Sequence, residues 1–265
     1  MSGERKDGRR SGRRSLLVTA AAGLGAVALA WGGSWVLDRV SGSLRFAPVA
    51  DPPGFRRLTL VGATSAALDP FAGIGSDGAA AVSQTEATRG DLCLDLFGQA
   101  RIDPGVVPIA FFSDYNCPNC ELLSGDIANI GAASGGKVRV KRHEWPNLGQ
   151  SSDTSARAAI AADRQGARLA FSRRLQGTVF EPTPAYLHEL ARSAGINANQ
   201  LFADMQSDEV ARELAVSASL VRRFAFPGTP ALVVGRTIVV GTIRTATLEA
   251  LIELERSDGL VPGCG

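Results

Sequence analysis

Cys117 and Cys120 stand two residues apart in "FFSDYNCPNC" (Phe111–Cys120) and make up half of the chain's four cysteines. A thiol pair at this spacing can bind a metal, attach a haem, staple a loop, or cycle between dithiol and disulfide. A structural zinc site needs a second CxxC or a matched histidine pair. The remaining candidates, Cys93, Cys264, His143 and His188, are isolated in sequence, so no metal is expected. A c-type haem needs a histidine after the second cysteine, where Glu121 stands. A purely structural bridge across so short a loop removes little unfolded-chain entropy. Redox chemistry accounts best for the placement. An apolar run ends at Phe112, a short loop follows, and Pro118 suits the first turn of a helix. At that helix's N-terminus Cys117 meets unpaired N–H groups and the positive end of the dipole, both of which favour a thiolate. Cys120, one turn on and shielded, is placed to resolve a mixed disulfide.

The elements that must hold this pair are legible around it. "VVPIAFF" (Val106–Phe112) reads as a strand buried on both faces. Leu123, Ile127 and Ile130 recur at i, i+4 and i+7 as one helix face, and "KVRVKR" (Lys137–Arg142) alternates as a strand. This βαβ order predicts parallel pairing with a right-handed crossover. "DLCLDLF" (Asp91–Phe97) alternates and is expected as a first strand. A helical block follows, from "SDTSARAAIAADRQG", with Ser/Asp caps, to "SDEVARELAVSASLVRRF". "ALVVG" and "TIVVG" then return as an antiparallel hairpin, and Thr245 is expected to cap a last helix over "TATLEALIELERSDG".

Here the chain resembles a known family. "FFSDYNCPNC" followed by a helix looks like the active site of thioredoxin-fold proteins, and the long helical insert makes it similar to the DsbA-type thiol:disulfide oxidoreductases. "FPGTPALVVG" (Phe226–Gly235) matches the family's GTP-plus-strand segment, whose proline is cis and packs opposite the active-site cysteines. The resemblance implies that Pro230 is that cis-proline and that Thr229 before it presents backbone to an extended substrate. It covers roughly residues 91–257. It implies an α/β thioredoxin fold, a central mixed sheet flanked by helices, with a helical subdomain inserted at about 150–224. Where the best-known oxidases carry Pro-His between the cysteines, this chain has Pro118-Asn119. An imidazolium there would stabilise the Cys117 thiolate further, so a less oxidising couple is expected.

Cys93 and Cys264 flank the domain. Outside the cytoplasm they read as a disulfide tying the tail to the first strand, with a second redox pair relaying electrons as the alternative. Asp114 is expected to cap or turn its loop, with proton transfer as the alternative. His143 and His188 are expected on the surface or a helix face, and Trp145 in core packing. Glu144-Trp145-Pro146 is the candidate lining of a substrate groove.

Residues 1–14 carry six Lys/Arg against Glu4 and Asp7, a net of +4, which leaves −2 for the remainder of a chain of formal charge +2. So neutral a body is a poor nucleic-acid partner. The basic block precedes an uncharged run, Ser15–Leu37. From Leu16 it would reach about 33 Å as a helix, enough to span a bilayer. Residues 1–37 are therefore expected as a signal or an uncleaved membrane anchor; a cleaved signal, of twin-arginine type given "GRRSLLV", is the alternative. Residues 38–90 read as a flexible, irregular linker in which "GFRRLTLVG" holds one short strand, and residues 91–265 as the domain.

The reading is an exported, membrane-tethered, periplasmic thiol:disulfide oxidoreductase that uses no organic cofactor. Its expected partners are exported cysteine-bearing client proteins and a membrane redox protein that resets the pair. Disulfide formation is the favoured direction. The same fold run as a reductase or isomerase, or a non-enzymatic module holding a metal or a partner, is the alternative.

Overall fold

The computed structural model describes residues 44–59, 91–176, 182–259 and 261–264. Residues 1–43 and 60–90 lie outside them, and with residues 1–37 the expected signal or anchor. Among the described residues no helix is long and apolar enough to cross a membrane.

The centre of the fold is β3 (Val107–Ser113), all seven of whose residues are buried. Parallel to it runs β4 (Val138–Glu144), reached through α2 (Pro118–Ala133), which completes the βαβ unit. On the other side of β3 the hairpin of β5 (Ala231–Val234) and β6 (Thr237–Val240) pairs antiparallel. Gly235 makes the turn at φ 54°, and a Cβ there would stand 2.4 Å from Glu255 Oε2. A side chain there would be strained at that φ and would displace the Glu255 carboxylate.

The supposed linker contributes two strands. β1 (Arg45–Pro48) and β2 (Arg56–Thr59) pair antiparallel, and β2 joins β6 in parallel, which gives a six-stranded mixed sheet in the order β1-β2-β6-β5-β3-β4. The short strand expected in "GFRRLTLVG" is β2; β1 was not foreseen because four residues within a Pro-rich stretch show no period. Arg56 ties this edge down by ion pairs to Glu255 at 2.7 Å and Asp258 at 3.0 Å. Both acids belong to α8 (Thr245–Asp258).

"DLCLDLF" is a helix, α1 (Leu92–Phe97), not a strand. Asp91 caps it, accepting from Cys93 N at 2.9 Å and Leu94 N at 3.4 Å, and Gly98 closes it in the left-handed region. Cys93, Leu96 and Phe97 are buried together at helical spacing, whereas Leu94 is 50 % exposed. Over so few residues the alternation of Leu92, Leu94 and Leu96 imitates a strand. The caps decide it.

Between β4 and β5 lies the helical insert. It comprises α3 (Gln150–Asp163), α4 (Arg168–Leu175), α5 (Pro184–Ser193), α6 (Ala198–Met205) and α7 (Asp208–Arg223). Thr183, Asn197 and Ser207 cap the last three. Two expected caps are corrected. α3 begins ahead of its Ser/Asp residues, at Gly149 with no side-chain cap, and α8 has Arg244 as N-cap, so that Thr245 instead donates to Asp126 Oδ2 at 3.0 Å. Two cores result. One joins the sheet to α1 and α7 through Phe112, Leu96, Phe224 and Ile238; the other fills the insert around Ala158, Phe171 and Leu187. Tyr115, from the loop before Cys117, belongs to the second. The cysteine loop is thereby packed into the insert.

Candidate active site

β3 ends at Ser113, and four residues later the chain turns into α2 with Cys117 as its N-cap, in extended backbone, and Pro118 as its first residue. Proline lacks the N–H that would have no partner at that position. The Cys120 amide points back at Cys117, its N 3.0 Å from the carbonyl oxygen and 3.2 Å from Sγ. A donor held on Sγ at a helix N-terminus stabilises negative charge there. Cys117 and Cys120 are joined as a disulfide, their Cα atoms 5.3 Å apart. Cys117 is 6 % exposed and Cys120 fully buried, while Pro118 and Asn119 are exposed. Attack from solution therefore reaches the first sulfur before the second.

Asp114 organises the loops around the pair. Its carboxylate accepts from Asn116 N at 2.7 Å, Asn147 N at 2.8 Å, Leu148 N at 3.0 Å and Ser152 Oγ at 2.7 Å. These bonds join the β3–α2 loop to the β4–α3 loop. Asn147 then accepts from Thr229 Oγ1 at 3.4 Å, which brings in the third loop. There the Thr229–Pro230 bond is cis, and Pro230 enters β5 buried. With three of its bonds to loop amides and the fourth to Ser152 in the first turn of α3, Asp114 serves as the turn-former of the two readings.

Cys93 and Cys264 form a second disulfide, with Cα atoms 5.1 Å apart, buried under the core shared by α1, Phe55 and Val261. The same core contains Leu220 and Val221 of α7 and Phe112 of β3. Glu144 and His143 correct the sequence reading. Glu144 is buried, paired with Arg168 at 2.7 Å and accepting from Tyr115 Oη at 3.2 Å, rather than lining a groove. Tyr115 also shares a hydrogen bond with Ser172 at 2.8 Å. Burial and the Glu144 charge hold the Tyr115 phenol protonated well above its usual range. His143 is 2 % exposed, stacked on Phe112, because β4 turns that position inward. A carbonyl can only accept, so His143 Nε2 carries the proton that bonds Leu96 O at 2.9 Å. Burial pushes its pKa down to about 3. His188 is exposed and Trp145 packs on the sheet core. Among the described residues no three His, Cys, Asp or Glu side chains are grouped to hold a metal.

Along α2, on the β4 side of the sheet, opens a cavity of about 720 Å³ lined by Ser124, Ala128, Arg142, Arg168 and Leu169 among others. Sequence reasoning missed Arg142 and Arg168. Each is brought to the cysteine loop from a separate element, so no local spacing marks them.

A profile of the DSBA-like thioredoxin domain matches residues 108–253, more than half of the chain and the whole span from β3 through the cysteine pair, the insert and the cis-proline. The chain belongs to the DSBA-like thioredoxin domain family. As a DSBA-like protein it is a thiol:disulfide oxidoreductase. A thioredoxin-like oxidoreductase from Silicibacter pomeroyi DSS-3 is 32% identical, with a TM-score of 0.56 over 62% of this chain and 97% of that one. The thiol-disulfide exchange protein alpha-DsbA2 from Wolbachia pipientis superposes with TM-score 0.55 at 20% identity, covering 62% of this chain and 91% of its own. A periplasmic thioredoxin-like protein from Salmonella enterica serovar Typhimurium does so with 0.54 at 24%, covering 63% and 96%. The last two likenesses speak for the DSBA-like fold. No curated protein matches the chain.

Proposed function

We propose that this chain forms disulfides in exported proteins, with Cys117 as the exchanging cysteine and Cys120 as the resolving one. The observation that carries the reading is the Cys120 amide held 3.2 Å from Cys117 Sγ at the start of α2. A site that stabilises the thiolate stabilises the reduced pair, and a pair stable when reduced is a willing oxidant. A client thiolate attacks Cys117 Sγ, the Cys117–Cys120 bond breaks, and its electron pair leaves on Cys120. A second client thiolate then attacks the client sulfur of the mixed disulfide and expels Cys117 as thiolate, and Cys120 takes up a proton. The client has lost two electrons and the enzyme has gained them. Thr229 and Pro230 border the approach to Cys117 and hold the client backbone in this reading.

The place of action is extracytoplasmic. The basic, then apolar, residues 1–37 serve as signal or tether, residues 91–265 form the working domain, and a membrane redox protein reoxidises the pair. Support comes from a second, buried disulfide, since such bonds persist in oxidising compartments.

The test equilibrates the full chain across glutathione ratios, alkylates free thiols and locates them by mass spectrometry. A Cys117–Cys120 couple well above the thioredoxin range of about −270 mV, lost in Cys117→Ser, is the expected result. A couple at or below that range turns the reading towards a reductase. An inert Cys117 ends it.

A further inference from the structure

Bonded to Ser124, on α2 beyond Cys120, stands a cation with no acidic partner among the described residues. Arg142, on β4, donates from Nη1 to Ser113 Oγ at 3.0 Å and from Nη2 to Ser124 Oγ, and its guanidinium lies 4.9 Å from the centre of the Phe111 ring. Its sequence neighbour Lys141 pairs with Glu213, and Arg168, across the same cavity, pairs with Glu144. Arg142 forms no such ion pair among the described residues. Serine hydroxyls and an aromatic face hold the guanidinium in position and leave its charge uncompensated.

Ser124 follows Cys120 by four residues on α2, so both side chains leave the same face of the helix, with Cβ atoms about 5–6 Å apart. A guanidinium bonded to Ser124 is therefore seated one turn along from Cys120. Its field reaches the cysteine loop, where it opposes the upward push of burial on Tyr115. Among the described residues no acid around this cavity pairs with it, and Asp163 in the lining is paired with Arg168. Glu121 is exposed, and Glu144 is engaged by Arg168.

Thiol exchange puts its charge where this cation is. When a thiolate attacks Cys117 Sγ, the electron pair of the broken S–S bond departs on Cys120. A fully buried thiolate is costly unless something opposite in charge is near. The helix N-terminus chiefly serves Cys117, its N-cap.

We propose that Arg142 stabilises the Cys120 thiolate as the leaving group of the exchange reaction. It touches neither sulfur and acts through its field, fixed by Ser113 and Ser124. The proposal rests on the assignment of Cys117 and Cys120 as the exchanging pair.

The test compares the full chain with Arg142→Met, which keeps the stem and removes the charge, and Arg142→Lys, which keeps the charge. Arg142→Met is expected to lower both the rate of disulfide reduction by glutathione and the equilibrium constant for reduction about tenfold, equivalent to a potential about 30 mV more negative. Arg142→Lys stays within about threefold of the wild type. In a Cys117→Ala background, Arg142→Met raises the Cys120 pKa, followed by thiolate absorbance, by about one unit, as a lost tenfold stabilisation requires. A merely structural role moves none of these. The proposal is overturned if Arg142→Met leaves rate and equilibrium within twofold of the wild type, or if Lys is as damaging as Met. Should Arg142→Met not fold, Ser124→Ala releases Nη2 instead; a smaller shift in the same direction supports the role and no shift overturns it. A wild-type chain that exchanges with no glutathione at all defeats the assignment of the cysteine pair itself, a distinguishable outcome.

Discussion

His143 shows how one residue links burial to pH. Its ring is packed on Phe112 with its proton committed to the Leu96 carbonyl, and its pKa is pushed down from 6.5 to about 3. The folded state thus binds fewer protons than the unfolded state once the pH drops below 6.5. The contribution of a neutral His143 is whole above that pH and is lost progressively as the pH falls towards about 3. Between pH 7 and pH 5 the loss is on the order of 2 kcal/mol, from about 1.4 kcal/mol per pH unit below the unfolded pKa. Urea unfolding across this range checks it, with His143→Gln as the reference: the variant is expected to start less stable and to show a flatter pH dependence. Equal slopes for the two proteins would show that His143 does not titrate on unfolding.

At the scale of elements, the active site is a meeting of loops rather than a property of α2 alone. Asp114 holds the β3–α2 loop against the β4–α3 loop by four hydrogen bonds. Three of the donors are backbone amides, which a truncated side chain would leave without this acceptor. Asp114→Ala is therefore expected to destabilise the fold by about 3 kcal/mol, read from the urea midpoint. It is also expected to slow exchange with a reduced client peptide more than exchange with glutathione, since the Asn147–Thr229 contact that borders the client approach is released. Equal slowing of the two reactions would place Asp114 in stability alone. Of the site, Cys117, Pro118 and Cys120 were readable from their order along one segment. The Asp114 clamp, the Tyr115–Glu144–Arg168 cluster and Arg142 were not, because, the Asn116 amide aside, their partners lie 18 to 57 residues away in sequence. α1 went wrong for a different reason: seven residues satisfy a period of two and the spacing of a short helix equally well, and only the caps and the buried side distinguish them.

For the whole molecule, the Cys93–Cys264 disulfide closes a loop of sequence separation 171 and fastens the C-terminal tail beside α1 and the β1–β2 hairpin. A Cβ at Gly54, in that hairpin's turn, would stand 2.8 Å from Pro262 Cγ, so tail and hairpin are in close contact. By loop-closure entropy the bridge is worth up to about 5 kcal/mol. The double variant Cys93→Ser/Cys264→Ser is expected to lose about 3–5 kcal/mol of unfolding free energy and to leave the glutathione equilibrium of Cys117–Cys120 unchanged. A changed equilibrium would revive an electron relay between the two pairs.

Local signals along the chain were enough for the chemistry and the frame that carries it: a CPNC pair between a buried strand and a helix, a parallel return strand, a helical insert, and a Thr-Pro step before a hairpin. Those signals are local, set by side-chain period and by the limited backbone repertoire of proline and glycine. Tertiary structure alone decided that β1 and β2 extend the sheet, that His143 and Glu144 face inward, and which charged groups surround the cysteine loop. Each of these depends on which distant segments meet, and such meetings are selected by the burial of whole faces, for which a single stretch of chain holds no record.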